Sequence, residues 1–327
     1  MSTDWAGRRV LVTGGLGFIG SSVAVRLSEA GARVTVLDAL LPEYGGNRYN
    51  VAPVEDRIRI VIGDVRDQPL VSSLVKETEF VFHFAAQVSY LDSMNDPLHD
   101  LDISLRGTLN ILEACRRLRP DARLLSVGSR MQFGPTERLP VDERHPMRPQ
   151  SFYALHKLAA EQYCRLYHEA FGLWTAWLRL SNPYGPRQQI KHSKYGIVNW
   201  FVRLALDGKP LTVFGDGAQA RDYFYIDDAV EAFLLAASSD EAGGEAFNIG
   251  GGAPISFKTM AETIARVTGA DVDSVPWPDA WKQVETGDYV TDIEKARRLL
   301  GWTPKIGFEE GIRRTVDYYR AAFRHYK

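Results

Sequence analysis

The chain has 327 residues, 45% of them hydrophobic and 24% charged, enough to bury a core as one large domain or two coupled ones. Lys and Arg number 39 against 41 Asp and Glu, for a formal net charge of -2 with no long run of one sign, so the basic stripe that a nucleic-acid footprint requires is missing. Two cysteines, Cys115 and Cys164, lie in segments of helical apolar spacing. With no apolar signal segment and no run of about 18 apolar residues, they point to reduced thiols in a cytoplasmic protein, without a disulfide framework, a membrane span or a metal site.

In chain order, β-branched runs alternate with helical patterns. RRVLVTG (8–14) predicts a first strand, and LGFIGSSVAVRLSEAG (16–31) predicts a helix with Gly31 at its C-terminal cap. Strands follow at ARVTVLD (32–38), RIRIVIGD (57–64) and EFVFHFA (79–85), then a long helix over 96–118. ARLLSVG (122–128), a helix over 151–171 and WTAWLRLS (174–181) complete the alternation. The pattern predicts an α/β fold, a Rossmann-type doubly wound parallel sheet covered on both faces by helices. Past residue 182, Pro, Gly and aromatics interrupt shorter elements, as in NPYGPRQQ and VPWPDAWKQ, which predicts a smaller α/β substrate-binding lobe. We assign residues 1–181, with about 226–252, to a nucleotide-binding domain, and 182–225 with 253–327 to the lobe.

The first strand-to-helix turn carries Gly14, Gly17 and Gly20 in a G-x-x-G-x-x-G spacing. Glycines there permit a tight turn, close backbone approach to a pyrophosphate and close helix packing, while the helix N-terminus supplies oriented N–H donors. The second strand ends at Asp38, where a carboxylate accepts from both ribose hydroxyls of NAD and repels the 2'-phosphate of NADP. An ordinary turn with a surface aspartate is the plainer alternative. Asp64, after the third strand, is placed either to reach the adenine edge or to cap the next helix.

On the helix over 151–171, Tyr153 and Lys157 are four residues apart and share a face. An ammonium beside a phenol favours phenolate, which brings Tyr153 toward the range where it exchanges a proton with a sugar hydroxyl, and Lys157 is placed to hold the nicotinamide ribose. Ser129, past the fifth strand, lies at the sheet edge where ligands of open α/β folds bind, and hydrogen-bonds the same oxygen. Taken alone, the helical pair is better explained as a solvated tyrosine beside a lysine; the nucleotide motif and Ser129 together reverse that balance. His83 reads as a core residue and His156 as turned away from Lys157.

With TGGLGFIG (13–20), Asp38, GDVRD (63–67), HFAAQ (83–87), Ser129 before FGP, Tyr153 with Lys157, SNPYGPRQ (181–188), FGDGAQARDYFYIDD (214–228) and LGWTP (300–304), the whole chain resembles an extended short-chain dehydrogenase/reductase of the nucleotide-sugar epimerase and dehydratase group. The resemblance implies NAD as cofactor, held by Gly14, Gly17, Phe18, Ile19, Gly20, Asp38, Asp64, Val65, Phe84, Ala85, Ala86, Gln87, Tyr153 and Lys157, with Ser129, Tyr153 and Lys157 catalytic. It also implies that the substrate contacts Ser129, Arg130, Met131, Asn182, Arg187, Val198, Asn199, Arg221 and Asp288. For Arg221 a surface ion pair with Asp222 or Asp227 is the alternative, and for Asn182 a turn residue before Pro183. A homodimer through the helices over 96–118 and 151–171 is likewise implied.

The 4,6-dehydratases of this group place Asp-Glu after the Ser/Thr position, and the decarboxylases tend to carry a glutamate there. This chain has Arg130 and Met131, neither an acid nor a base near neutral pH. Two further positions depart: Ser104 stands in place of an asparagine and Glu285 in place of an arginine, for which Arg187, Lys191 or His192 compensate unless they form a plain surface loop. The expected function is therefore NAD-dependent epimerisation at C4 of a UDP-hexose or UDP-hexuronate. The alternatives are a CDP-deoxysugar 2-epimerase, then a dehydratase or decarboxylase, and, outside enzymes, an NAD-binding sensor.

Overall fold

A computed structural model describes residues 3–42, 44–277 and 287–327. The first half runs β1 (Arg9–Thr13), α1 (Phe18–Glu29), β2 (Arg33–Asp38), β3 (Arg59–Ile62), α2 (Gln68–Val75), β4 (Phe80–His83), α3 (Tyr90–Asn95), α4 (Pro97–Asp100), α5 (Gly107–Leu118), β5 (Arg123–Ser129), α6 (Phe152–Phe171) and β6 (Thr175–Leu180). The second half runs β7 (Asn182–Tyr184), α7 (Ile197–Leu206), β8 (Leu211–Phe214), β9 (Ala220–Arg221), β10 (Tyr223–Tyr225), α8 (Ile226–Ser238), β11 (Ala246–Ile249), β12 (Ile255–Ser256), α9 (Phe257–Thr268), β13 (Val272–Val275), α10 (Glu294–Leu300) and α11 (Phe308–Ala322).

Seven parallel strands form the main sheet in the order β11-β6-β5-β4-β1-β2-β3. The order reverses between β1 and β4, and there the carboxyl ends of the strands open a crevice. Helices cover both faces, so the strands are buried on both sides: every residue of β4 and β6 is buried, which explains their continuous apolar runs. Successive side chains of β1 feed opposite layers. Val10 and Val12 join the layer of α1 and α8 through Val23, Leu27 and Phe233, and Leu11 joins that of α2, α5 and α6 through Val71, Ile111 and Cys164. Cys115 and Cys164 lie free in this second layer with thiols pushed up to about 12 by burial, which leaves them unreactive.

The long helix expected over 96–118 is instead broken. Asp96 caps α4 through its side chain, and Leu101–Arg106 winds as a π-helix before α5 resumes the α-helical path. A π segment is a costly local geometry that recurs where a helix must re-aim its side chains, and this one packs on α6. Beyond β6, two-stranded pairs β7–β10, β9–β12 and β8–β13 support α7, α9 and α11. The fully buried Asp222 fastens this region by accepting from the Gly251 and Thr291 N–H groups.

Candidate functional site

The crevice over β1, β2, β4 and β5 is a deep cleft whose floor is the β1–α1 turn. Gly14 has φ +64°, and a Cβ there would stand 2.7 Å from the Ala85 nitrogen; a Cβ on Gly20 would run into the Gly14 carbonyl. No side chain therefore comes between the cleft and the first turn of α1, whose N-cap Gly17 makes no side-chain capping bond. Gly14, Gly17, Phe18, Ile19 and Gly20 line this end, with Asp38, Asp64, Val65, Phe84, Ala85 and Ala86 beside them. Asp38 accepts from the Leu16 and Leu40 N–H groups at 3.0 and 2.9 Å; burial raises its pKa and those two bonds oppose the rise. Asp64 receives a fork from Arg66, which holds its carboxyl below the ordinary range. It does not cap a helix, because the α2 cap is Asp67, and it lines the cleft. Gln87 faces away: it is buried, and its amide is closed on the backbone of Ser89.

Ser129, Tyr153 and Lys157 all line the cleft. Ser129 ends β5 and caps a short 3-10 turn, with Oγ accepting from the Met131 N–H at 3.2 Å and its hydroxyl near enough to Tyr153 to favour ionisation of the phenol. The expected depression of the Tyr153 pKa by Lys157 is not what the structure gives. Burial pushes the phenol up to about 12, with Ser129 opposing and Asp100 adding to the rise. Lys157 Nζ donates instead to the Val127 carbonyl at 3.0 Å, and burial pushes the amine down to about 8, opposed first by Asp100. His83 is a core residue between Thr13 and Thr108, pushed down to about 3 by burial and by Lys157, hence neutral.

A buried chain that no short-range motif exposes fixes Ser129. Its N–H donates to Gln132 Oε1 at 2.9 Å, Gln132 Nε2 donates to Glu161 at 2.7 Å, and Glu161 pairs with the equally buried Arg179. Tyr153, Lys157 and Glu161 stand at successive turns of α6, so one helical face carries the phenol, the amine and the anchor of Ser129.

The residues assigned to the substrate separate into two groups. Asn182 and Val198 line the cleft. Asn182 donates to the Asp222 carbonyl at 3.0 Å and accepts from Arg130 Nε at 3.4 Å, and the Arg130 guanidinium lies over the Tyr289 ring. Arg130 and Met131 are thus next to the wall rather than in it. Asn199 is fully buried, its amide used by Gly185 and the Tyr319 hydroxyl. Arg187, in a left-handed conformation at φ +73°, reaches the Asn50 carbonyl and packs its guanidinium over Tyr318, tying its loop to the C-terminal helix. Arg221 Nη1 donates to the carbonyls of Ala220 and Gly287, and Asp288 Oδ1 accepts from the Ala220 N–H, so both close the chain around β9. Lys191 and His192 also lie off the wall, which here is built by Gln188, Gln189, Tyr195 and Gly196. Glu285 lies outside the described residues.

These features fit a bound dinucleotide: a floor without side chains, a helix N-terminus without a side-chain cap, and a carboxylate at the end of β2. Asp38→Ala is expected to weaken NAD binding by about 10–100-fold and to narrow discrimination against NADP, as titration with both nucleotides would measure.

Fold and cleft together define an extended short-chain dehydrogenase/reductase. The chain belongs, more narrowly, to the family described as GDP-mannose 4,6 dehydratase, whose profile matches residues 11–315. It is 35% identical over 315 residues to a UDP-glucose 4-epimerase of Mycolicibacterium smegmatis, spanning 95% of this chain and 98% of that one. It is 36% identical over 324 residues to a dTDP-glucose 4,6-dehydratase of the same organism, spanning 96% and 93%. Among solved structures, the UDP-glucose 4-epimerase of Thermus thermophilus in complex with NAD superposes with a TM-score of 0.84 at 36% identity, covering 96% of this chain and 99% of that one. Epimerases and dehydratases are equally near, at 35% and 36% identity.

Proposed function

We propose that this protein uses NAD to epimerise a nucleotide sugar at C4, a UDP-hexose or UDP-hexuronate, through a transient 4-keto sugar. The observation that carries this reading is the distribution of carboxylates. Among the described residues of the cleft wall they are Asp38 and Asp64, both at the β2–β3 end, and none stands beside Ser129 and Tyr153. Loss of water across neighbouring ring carbons needs an acid and a base at the sugar, and Arg130 and Met131 provide neither. Oxidation and re-reduction of one carbinol need less. NAD held along the Gly14–Gly20 turn and Asp38 would supply the hydride acceptor and a positive charge to the site. Tyr153, ionised to the phenolate, takes the hydroxyl proton to become the phenol and later returns it, Ser129 hydrogen-bonds the same oxygen, and Lys157 keeps a positive charge within the site. Rotation of the keto sugar before the hydride returns inverts C4.

Purified protein is expected to convert UDP-glucose, UDP-galactose or UDP-glucuronate to the C4 epimer at unchanged mass, read by chromatography of the released sugars. A product lighter by one water from dTDP-glucose, with no epimer from any UDP-sugar, would replace this reading with dehydration.

Residues 1–181 with about 226–252 are read as the NAD-binding unit and the remainder as the nucleotide-sugar lobe. Exposed Leu91, Met94, Leu98, Phe152 and Leu155 on α3, α4 and α6 support a homodimer through this face, which sedimentation velocity would test.

A further inference from the structure

We propose that Ser93 is a positioning residue for Tyr153: its buried hydroxyl on α3 takes the Tyr153 N–H and so sets the place of the phenol at the cleft. This rests on the reading above, which gives Tyr153 the proton transfer.

Tyr153 stands in the first turn of α6, where backbone N–H groups have no acceptor within the helix. The N-cap side chain, Ser151 Oγ, accepts from the Ala154 N–H at 3.2 Å. The Tyr153 N–H is taken by a different element, donating to Ser93 Oγ at 3.0 Å, 60 residues away in the chain. Ser93 is fully buried, and its hydroxyl hydrogen is engaged by the Tyr90 carbonyl at 2.7 Å, which leaves the oxygen to act as acceptor. As a packing residue inside a helix, alanine would serve better; the hydroxyl is what α6 uses.

The helix that carries Ser93 is itself held at both ends of its reach. Ser89 Oγ caps α3 by accepting from the Asp92 N–H at 3.1 Å, and the buried Gln87 closes on the Ser89 backbone just past Ala86 of the cleft wall. Asp92 pairs with Lys194 at 2.9 Å, next to Tyr195 and Gly196, which also line the cleft. Residues 87–93 are thus a bracket running from the cleft wall to the turn that bears the phenol. One turn further along α6, Lys157 Nζ donates to the Val127 carbonyl at 3.0 Å, so the helix is pinned at Tyr153 through the backbone and at Lys157 through the side chain. A phenol at the end of a rigid ring carries any tilt of its backbone outward to the hydroxyl, and a misplacement of about 1 Å costs about 100-fold in rate.

In Ser93→Ala, kcat for the UDP-sugar that the protein interconverts is expected to fall about 10–100-fold, with KM and NAD affinity within about twofold of the parent. The same substitution in the Tyr153→Phe background should cost nothing further, because no phenol is left to place, whereas a merely structural serine would slow both backgrounds alike. The ring resonance of Tyr153, identified by its loss in Tyr153→Phe, should shift in Ser93→Ala, a readout independent of turnover. Parent kcat with an unmoved resonance, or an equal loss in both backgrounds, would overturn the proposal and leave the role of Tyr153 intact. A Tyr153→Phe variant at the parent rate would instead overturn the chemistry beneath it. Should Ser93→Ala fold poorly, amide exchange in the parent decides: a Tyr153 N–H held by Ser93 is protected like the interior of α6, and exchange at the rate of an open first turn would sink the proposal.

Discussion

Tyr153→Phe is expected to slow sugar interconversion by about 10³-fold while NAD stays bound. Phenylalanine keeps the ring and its packing on α6 and removes one oxygen from the cleft wall that Ser129 and Tyr153 share. That oxygen is the proton acceptor in the proposed oxidation, and among the described residues its two titratable neighbours are engaged elsewhere: His83 is buried and held by two threonines, and Asp100 is bonded to His156. The burial that pushes the Tyr153 phenol up to about 12 sharpens the expectation. A phenol so reluctant to ionise acts as base when positive charge is brought beside it, so the parent rate should climb with pH until Lys157 begins to lose its proton near 8. The variant, lacking the group, should show a flat profile over that range. Turnover assays with matched NAD occupancy measure both. A variant retaining more than a tenth of the parent rate would remove Tyr153 from the chemistry and favour a protein that binds NAD without transforming a sugar.

What was legible in the sequence follows a physical division. The parallel sheet was visible because strands buried on both faces become continuous β-branched runs, and the glycine turn because Gly14 and Gly20 sit where no Cβ fits. The helix break at 101–106 was not, since its apolar spacing passes for an ordinary helix and the π geometry answers to packing on α6. Motif position also told where a residue lies along the chain but not where its side chain turns. Arg187 is claimed by Asn50, Gln87 by a backbone two residues on, and Asn199 by Gly185 and Tyr319. Those partners satisfy the buried amides of Gln87 and Asn199 and the half-buried guanidinium of Arg187, and only the folded chain reveals them. The same applies to Asp100 and His156, 56 residues apart, whose pairing no local pattern announces.

The largest loss of stability is expected from Glu161→Ala, about 3–5 kcal/mol by urea denaturation. Glu161 and Arg179 are each about 5% exposed, joined through two guanidinium nitrogens, with the Arg179 guanidinium stacked over Phe133. Removing the carboxylate strands a guanidinium in the sheet–helix layer, and arginine does not escape by shedding its proton. The double variant Glu161→Leu/Arg179→Met, which removes both charges at similar volume, is therefore expected to recover most of the loss; failure to recover would mean that shape rather than charge dominates. Activity should not recover with stability. Glu161 also holds Gln132, and Gln132 Oε1 holds the Ser129 N–H at 2.9 Å, so the apolar pair leaves the serine loop without its anchor. A folded double variant with turnover lowered about tenfold or more would separate the two duties of Glu161, one to the fold and one to the placement of Ser129.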